Sequence, residues 1–233
     1  KDILDALHEG TRAVVPVAVA CAAVGPIIGV ASITGFGLSM AHAIVSMGGT
    51  SILLTLGFTM VACIILGMGL PSIPAYLITA TMAAPALVRL GIEPIVSHLF
   101  VFYFAMFANI TPPVALASFA AAGISGGNPV KTGLASIKLS LAGFIVPYIF
   151  VYNQALLLRN TTALEGILVA VTSIVGVILL GSAVEGYLLT RMNAALRVLA
   201  AAAALLLMTP NRGQDLLGIA AAGFLVTLQL FQH

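Results

Sequence analysis

The sequence predicts an all-α integral membrane protein with a re-entrant hairpin and a discontinuous helix. Of the 233 residues, 61% are hydrophobic and only 7% are charged, against about 25% charged in an ordinary soluble domain. No Lys, Arg, Asp or Glu occurs between Arg12 and Arg89, and long charge-free runs recur to the end of the chain. Backbone groups in lipid must bond internally, which favours helices.

The same composition excludes several classes of protein. Seven acidic and nine basic residues cannot cover the surface of a soluble globular enzyme of this size. A net charge of +2 is too small for electrostatic recognition of nucleic acid. The two cysteines, Cys21 and Cys63, lie inside apolar runs and are interpreted as buried hydrophobic side chains.

The first elements follow from where the polar residues fall. Residues 1–12 form a polar stretch with apolar residues at helical spacing, and we expect this segment to lie at the membrane interface. A scaffold helix is expected over 13–31, where Gly25 and Gly29 would let another helix approach closely. Residues 32–48 are too polar and too short to span comfortably, so they predict an arm helix at the interface.

Residues 51–88 predict a re-entrant hairpin. Two apolar helices, 52–66 and 75–88, would each be about 22 Å long, which is short of a hydrocarbon core of about 30 Å. The connecting residues 67–74 are rich in Gly, Pro and Ser. Irregular backbone of this kind is tolerated at membrane depth only where protein or a water-filled cavity surrounds it.

Residues 98–123 predict a helix that is broken in the middle. The sequence NITPP at 109–113 interrupts an apolar run. Proline removes a helical donor and pushes the preceding residue out of the α region. A further helix is expected over 138–158, and three additional C-terminal transmembrane helices over 159–233.

The basic residues predict the orientation in the cell inner membrane. The expected spans place one group of loop residues on the same side: Lys1, Arg12, Lys131, Lys138, Arg191 and Arg197. Short loops rich in Lys and Arg face the cytoplasm, so we expect the C-terminus to be cytoplasmic. The chain begins with Lys rather than Met, and we expect it to be the C-terminal part of a longer protein.

A hairpin paired with a broken helix is the sequence signature of a secondary-transporter site. Unwound carbonyl oxygens and helix C-termini suit a small cation. The side chains of Ser72, Asn109 and Thr111 would add neutral oxygens, and Gly67 and Gly69 permit backbone shapes and approaches that other residues resist. The charge-free core lacks a carboxylate for a proton relay, which favours Na⁺ as the coupling ion.

An anionic substrate is expected on the other side of the same break. The half-helix N-termini would offer N–H groups to an anion. Three prolines flank those N-termini, and we assign them to the substrate side: Pro71, Pro112 and Pro113.

Several motifs together carry a family resemblance. They are GMGLPSIPAY at 67–76, APALV at 84–88, NITPPVA at 109–115 and FIVPYIFVYN at 144–153. The first three resemble the large membrane subunit of TRAP (tripartite ATP-independent periplasmic) transporters. The fourth is similar to the subfamily in which the small and large membrane subunits form one chain, although Gln154 stands where that pattern has proline. The resemblance covers residues 10–158, and the rest looks like that subfamily's extra C-terminal helices.

The resemblance implies an elevator mechanism built on inverted repeats, with residues 13–158 as the second repeat. By the family pattern, Na⁺ would lie between the hairpin tip and the broken helix, at Gly67, Gly69, Ser72, Asn109 and Thr111. It also implies a periplasmic substrate-binding protein as partner and a small organic anion as substrate. The missing N-terminal half and the small membrane subunit, fused or separate, would be further partners in the lipid bilayer.

Alternatives remain open at this point. The chain could form a passive channel or a scaffold subunit that does not transport, and residues 67–74 and 111–113 could be a plain connection and a structural kink. The sequence GISG at 123–126 matches a short serine motif of intramembrane proteases, but the GNP sequence after it predicts a surface turn. No GxxxxGK[ST] sequence for ATP binding is present, so we expect no enzyme.

Overall fold

The prediction of an all-α fold is confirmed. The computed structural model describes residues 2–157, 159, 161–209 and 212–231. Within these ranges the regular secondary structure is helical, apart from an isolated bridge between Tyr187 and Arg191. The chain divides into two compact units, one ending at Leu134 and the other beginning at Ala135.

Two helices open the first unit. Helix α1 spans Asp2–Ile33 and α2 spans Phe36–Gly48. The turn between them uses Gly35 at φ 66°, a left-handed conformation that favours glycine, and α2 leaves α1 at 70°. Helix α1 is continuous from Asp2, so no break separates the expected interfacial segment from the scaffold helix expected over 13–31. The level at which α1 would enter the bilayer stays a prediction.

A helix–turn–helix follows where the hairpin is expected. Helix α3 covers Ile52–Gly67, and Ser51 caps it by accepting a hydrogen bond from the Leu54 amide at 3.3 Å. The returning arm is divided into α4, Ser72–Met82, and α5, Ala84–Arg89. Sixteen residues of α3 extend only about 24 Å, which is short of a hydrocarbon core of about 30 Å.

The next helix is interrupted at the position that the prolines predict. Helix α6 spans Pro94–Phe107 and α7 spans Leu116–Ser125. Helix α6 begins four residues before the expected start, since proline is well suited to the first helical position. In the first unit α3 and α4 pack against α6, and the α6 side chains Phe100 and Phe104 are fully buried.

The second unit is also helical. Helix α8 spans Pro129–Tyr152, beginning in the first unit, and a short 3₁₀ helix covers Gln154–Leu157. The helix expected at 138–158 is therefore wrong in its bounds. The chain leaves helical geometry at Asn153, whose side chain accepts a hydrogen bond from the Ala155 amide at 3.2 Å.

Three helices complete the unit: α9 over Ala163–Glu185, α10 over Ala194–Met208 and α11 over Arg212–Phe231. Helix α10 packs against both α9 and α11. The side chain of Arg197 donates to the carbonyl oxygens of Ala183 and Val184 at 2.7 and 2.8 Å, which caps the C-terminus of α9. Buried Gln229 accepts from the Leu189 amide at 2.9 Å and holds the loop before α10.

Among the described residues, α8 and α9 are long and apolar enough to cross a membrane, and the bent pair α1–α2 makes a third span if it counts as one. Helices α3, α6, α7 and α10, together with Leu216–Leu230 of α11, are apolar but shorter. Fifteen residues of α10 extend about 22 Å. The expectation that α10 and α11 span the membrane therefore stays a prediction.

Candidate functional site

The tip of the hairpin is an irregular turn between α3 and α4. The Met68 amide donates to the Ile65 carbonyl at 3.4 Å, and the Leu70 amide donates to the Gly67 carbonyl at 3.3 Å. Gly69 has φ 76°, and only glycine adopts this conformation without strain. Among the described residues, the carbonyl oxygens of Met68 and Gly69 accept no hydrogen bond.

The tip packs directly against the break in the α6–α7 helix. A Cβ added to Gly67 would lie 3.1 Å from both the Ala105 carbonyl oxygen and the Ala108 Cβ. A Cβ on Gly69 would lie 3.7 Å from Cγ1 of Val114. The two glycines of the expected site are therefore placed against the broken helix, and Gly67 allows nearly direct backbone contact between α3 and α6.

The break itself is bridged by new hydrogen bonds. The carbonyl oxygens of Asn109 and Thr111 accept from the amides of Ala117 and Ala115 at 3.0 and 3.2 Å, and the Ile110 carbonyl accepts from the Ser118 hydroxyl at 3.4 Å. These carbonyl oxygens accept from residues that follow the break rather than from α6, because the start of α7 folds back over them. A carbonyl oxygen has two lone pairs, so each keeps some capacity as a ligand.

The polar side chains of the expected site are not equally placed. The Thr111 hydroxyl donates to the Phe107 carbonyl at 2.7 Å, which is the hydrogen bond expected if Thr111 belongs to a structural kink. The hydroxyl oxygen still has lone pairs that could bind a cation. Asn109 is half-buried, whereas Ser72 is exposed at the first residue of α4. Within the described residues no hydrogen bond joins Ser72 to Asn109 or Thr111.

The three prolines assigned to the substrate side lie at the two breaks. Pro71 is exposed and precedes α4. Pro112 and Pro113 are joined by a cis peptide bond, and Pro112 is half-buried whereas Pro113 is exposed. The Cγ atom of Pro112 lies 3.2 Å from the position that a Cβ would take on Gly133, so the start of α8 covers one side of the break.

The site is surrounded by neutral groups. No charged residue occurs between Arg12 and Arg89 or between Glu93 and Lys131. Among the described residues there is no group of three or more His, Cys, Asp or Glu side chains that could hold a metal ion. A cation here would have to be bound by carbonyl, hydroxyl and amide oxygens, which are ligands for hard cations.

Sequence reasoning missed a polar contact beside the hairpin. The Tyr76 hydroxyl lies 3.0 Å from Nδ1 of His98, and Tyr76 also makes an edge contact with the ring of Phe102. The signal in the sequence is a tyrosine and a histidine inside two apolar runs. The polar atoms of such side chains usually find hydrogen-bond partners when they are buried.

The serine motif does not form a candidate catalytic site. Ser125 is the last residue of α7 and is exposed. Its hydroxyl oxygen accepts from the Gly127 amide at 3.3 Å. Ser125 therefore occupies the surface turn that the sequence predicts.

A hairpin whose tip meets an interrupted helix, in an apolar all-helical chain, defines a multi-pass membrane transporter permease. The chain belongs to the family described as "Tripartite ATP-independent periplasmic transporter, DctM component", whose family model matches residues 1–167. The resemblance to the large TRAP subunit is thus confirmed, and this transport family implies a membrane and a periplasmic binding protein as partner. No curated protein and no solved structure matches the chain.

Proposed function

We propose that the chain contributes one sodium-coupled transport site to a permease that imports small organic anions by an elevator movement. A periplasmic substrate-binding protein delivers the substrate. One observation carries the proposal: the hairpin tip at Gly67 and Gly69 packs against the break between α6 and α7. Such irregular backbone at the meeting point of two broken elements is where secondary transporters bind ion and substrate.

The directions of the helices support a cation on one side of this contact. Helix α3 ends at Gly67 and α6 ends at Phe107, so two helix C-termini meet there. Each carries roughly half a negative charge. The carbonyl oxygens of Met68 and Gly69, the hydroxyl of Thr111 and the amide oxygen of Asn109 supply neutral ligands of the kind that hard cations prefer.

The opposite helix ends support an anion. Helix α4 begins at Ser72 and α7 begins at Leu116, and helix N-termini present amide groups and a partial positive charge to anions. Pro71, Pro112 and Pro113 lie beside these two N-termini. A carboxylate of a small organic acid suits this position because it is compact and negatively charged.

Reconstitution of the complete permease in proteoliposomes tests the proposal. A thermal-shift screen of purified binding protein against dicarboxylates, keto acids and sialic acids first identifies a substrate. Radiolabelled uptake is then measured with an inward Na⁺ gradient and with K⁺ in its place. We expect saturable uptake that requires both Na⁺ and the binding protein. Equal uptake in K⁺ contradicts sodium coupling, and ion current without binding protein would indicate a channel.

A threonine pair tests the ion ligand. Thr111→Val removes a hydroxyl near the break, whereas Thr227→Val removes one that bonds within α11, to the Gly223 carbonyl at 3.0 Å. We expect Thr111→Val to raise the Na⁺ concentration for half-maximal uptake by about tenfold, the loss of one good ligand contact. Thr227→Val should leave it unchanged. An unchanged Na⁺ dependence in Thr111→Val removes Thr111 from the site.

A further inference from the structure

A groove with a volume of about 410 Å³ lies within the second unit, and none of its lining residues belongs to the hairpin. One wall comes from α9, through Ala170, Ser173, Ile174, Val177 and Ile178. Their spacing of three and four residues places them on one helix face. All five follow residue 167, where the family match ends.

The other wall comes from α8 and the 3₁₀ helix. Val146 and Ile149 lie one turn apart on α8, and Leu156 lies in the 3₁₀ helix. The lining is thus apolar except for the hydroxyl of Ser173. A volume of this size falls within the range of small-molecule sites, about 300–1,000 Å³.

The groove is open along its α9 wall. Ile174 and Ile178 are 59% and 55% exposed, so the described residues of the unit leave the α9 wall partly uncovered. Helices α8 and α9 are the two that the described residues show to be long and apolar enough to cross a membrane. A surface recess between two such helices faces hydrocarbon chains, and an empty recess would forfeit the dispersion contacts of its lining.

Two residues that follow the groove lining closely in sequence suit a phospholipid head. Arg159 is exposed and follows Leu156 by three residues, and its amide donates to the Gln154 carbonyl at 3.2 Å. Tyr152, at the C-terminus of α8, is also exposed. Arginine and tyrosine are typical of the membrane–water interface, and a guanidinium pairs well with phosphate.

We propose that the groove between α8, α9 and the 3₁₀ helix binds one acyl chain of a membrane phospholipid whose phosphate pairs with Arg159. The lipid completes the packing of the second unit on the side where Ile174 and Ile178 are exposed. The site does not depend on the sodium and anion sites proposed for the hairpin.

Native mass spectrometry of the complete permease tests the proposal with a pair of adjacent substitutions. Ala170→Trp fills the groove, whereas Val171→Trp adds the same ring at a neighbouring position that is 53% exposed and does not line it. The purified protein is delipidated in mild detergent and titrated with phosphatidylglycerol or phosphatidylethanolamine. We expect one retained phospholipid on the wild type and on Val171→Trp. Ala170→Trp should bind about tenfold more weakly, since excluding two methylene groups has that effect.

Equal retention by Ala170→Trp and the wild type overturns the proposal, as does a wild type that retains no phospholipid. Arg159→Gln addresses the head group: it should weaken retention of both lipids without changing uptake. Retention that is unchanged in Arg159→Gln contradicts the phosphate contact.

A second measurement covers the case in which Ala170→Trp does not fold. The chain has no tryptophan, so Ile174→Trp introduces one fluorescent side chain into it, on the rim of the groove. In liposomes of phospholipid brominated along the acyl chain, we expect quenching at least as strong as that of Val171→Trp. Weak quenching at residue 174 would show that a protein segment covers the groove, which also overturns the proposal.

Discussion

The hydroxyl of Tyr76 lies 3.0 Å from Nδ1 of His98, and this contact joins the returning arm of the hairpin to α6. The same tyrosine ring meets Phe102 edge-on, with centroids 5.5 Å apart. The hairpin is thus held at two places along α6, by this contact and by the approach of Gly67 to Ala105.

Tyr76→Phe should lower the stability of the permease by about 1 kcal/mol, because it removes one partly buried hydrogen bond and keeps the ring contact. Thermal unfolding of the purified protein measures the effect. Tyr187→Phe is the matched control, since Tyr187 is 57% exposed in the loop before α10. Equal unfolding temperatures for the two variants would contradict a stabilising role for the Tyr76–His98 contact.

Gly67→Ala should reduce uptake, because its methyl group would lie 3.1 Å from the Ala105 carbonyl oxygen and the Ala108 Cβ. Contacts this short push the hairpin away from α6, at a cost of about 1–3 kcal/mol for overpacking. Gly57→Ala is the control in the same helix, since nothing lies within 4 Å of its added methyl group. We expect Gly57→Ala to keep wild-type uptake, and a similar loss in both variants would point to a general effect on α3.

Gly176→Ala should destabilise the second unit. The added methyl group would lie 2.7 Å from Cγ of Met208 and 3.2 Å from the Ala204 carbonyl oxygen. Met208 can move, whereas the backbone of α10 cannot easily, so we expect a loss of about 1–2 kcal/mol. Gly181→Ala, in open space on the same helix, should be neutral or slightly stabilising. The unfolding temperatures of the two variants are compared in detergent. Equal unfolding temperatures would contradict the close packing of α9 against α10 at Gly176.

Arg197→Lys should also destabilise this unit, although it keeps the charge. The guanidinium donates to two carbonyl oxygens at the end of α9, those of Ala183 and Val184, and an ammonium group cannot reproduce this forked geometry. We expect a loss of about 1–2 kcal/mol and faster hydrogen exchange at the last turn of α9. Arg191→Lys, exposed in the preceding loop, is the control and should show neither change.

The breaks in the helices could be predicted because they depend on local chemistry. Pro112 and Pro113 cannot continue a helix, and Gly69 supplies a positive φ that few residues tolerate. The meeting of the hairpin with the broken helix was expected from the pairing of the two breaks and from the family resemblance, but neither gives its geometry. Its close contact depends on Gly67 facing Ala105 and Ala108, which no spacing within one segment reveals.

Other features depend on long-range packing and could not be predicted. The amide of Ala117 returns to the Asn109 carbonyl through a turn that places Ala115 at φ 40°, an unusual conformation for alanine.

The start of α8 was missed although its signal is present. Asn128 accepts from the Lys131 amide at 3.1 Å and precedes a proline, a pattern typical of a helix N-terminus.

The family match ends at Ile167, the fifth residue of α9, rather than in a loop. The stretch that the family model matches therefore ends inside one continuous helix. A protein shortened at that residue would keep little more than one turn of α9 and would lose Leu179 and Leu180, which pack in one cluster with Ala142 of α8. Deletions meant to isolate the family region should end before Ala163, in the connection that precedes the helix.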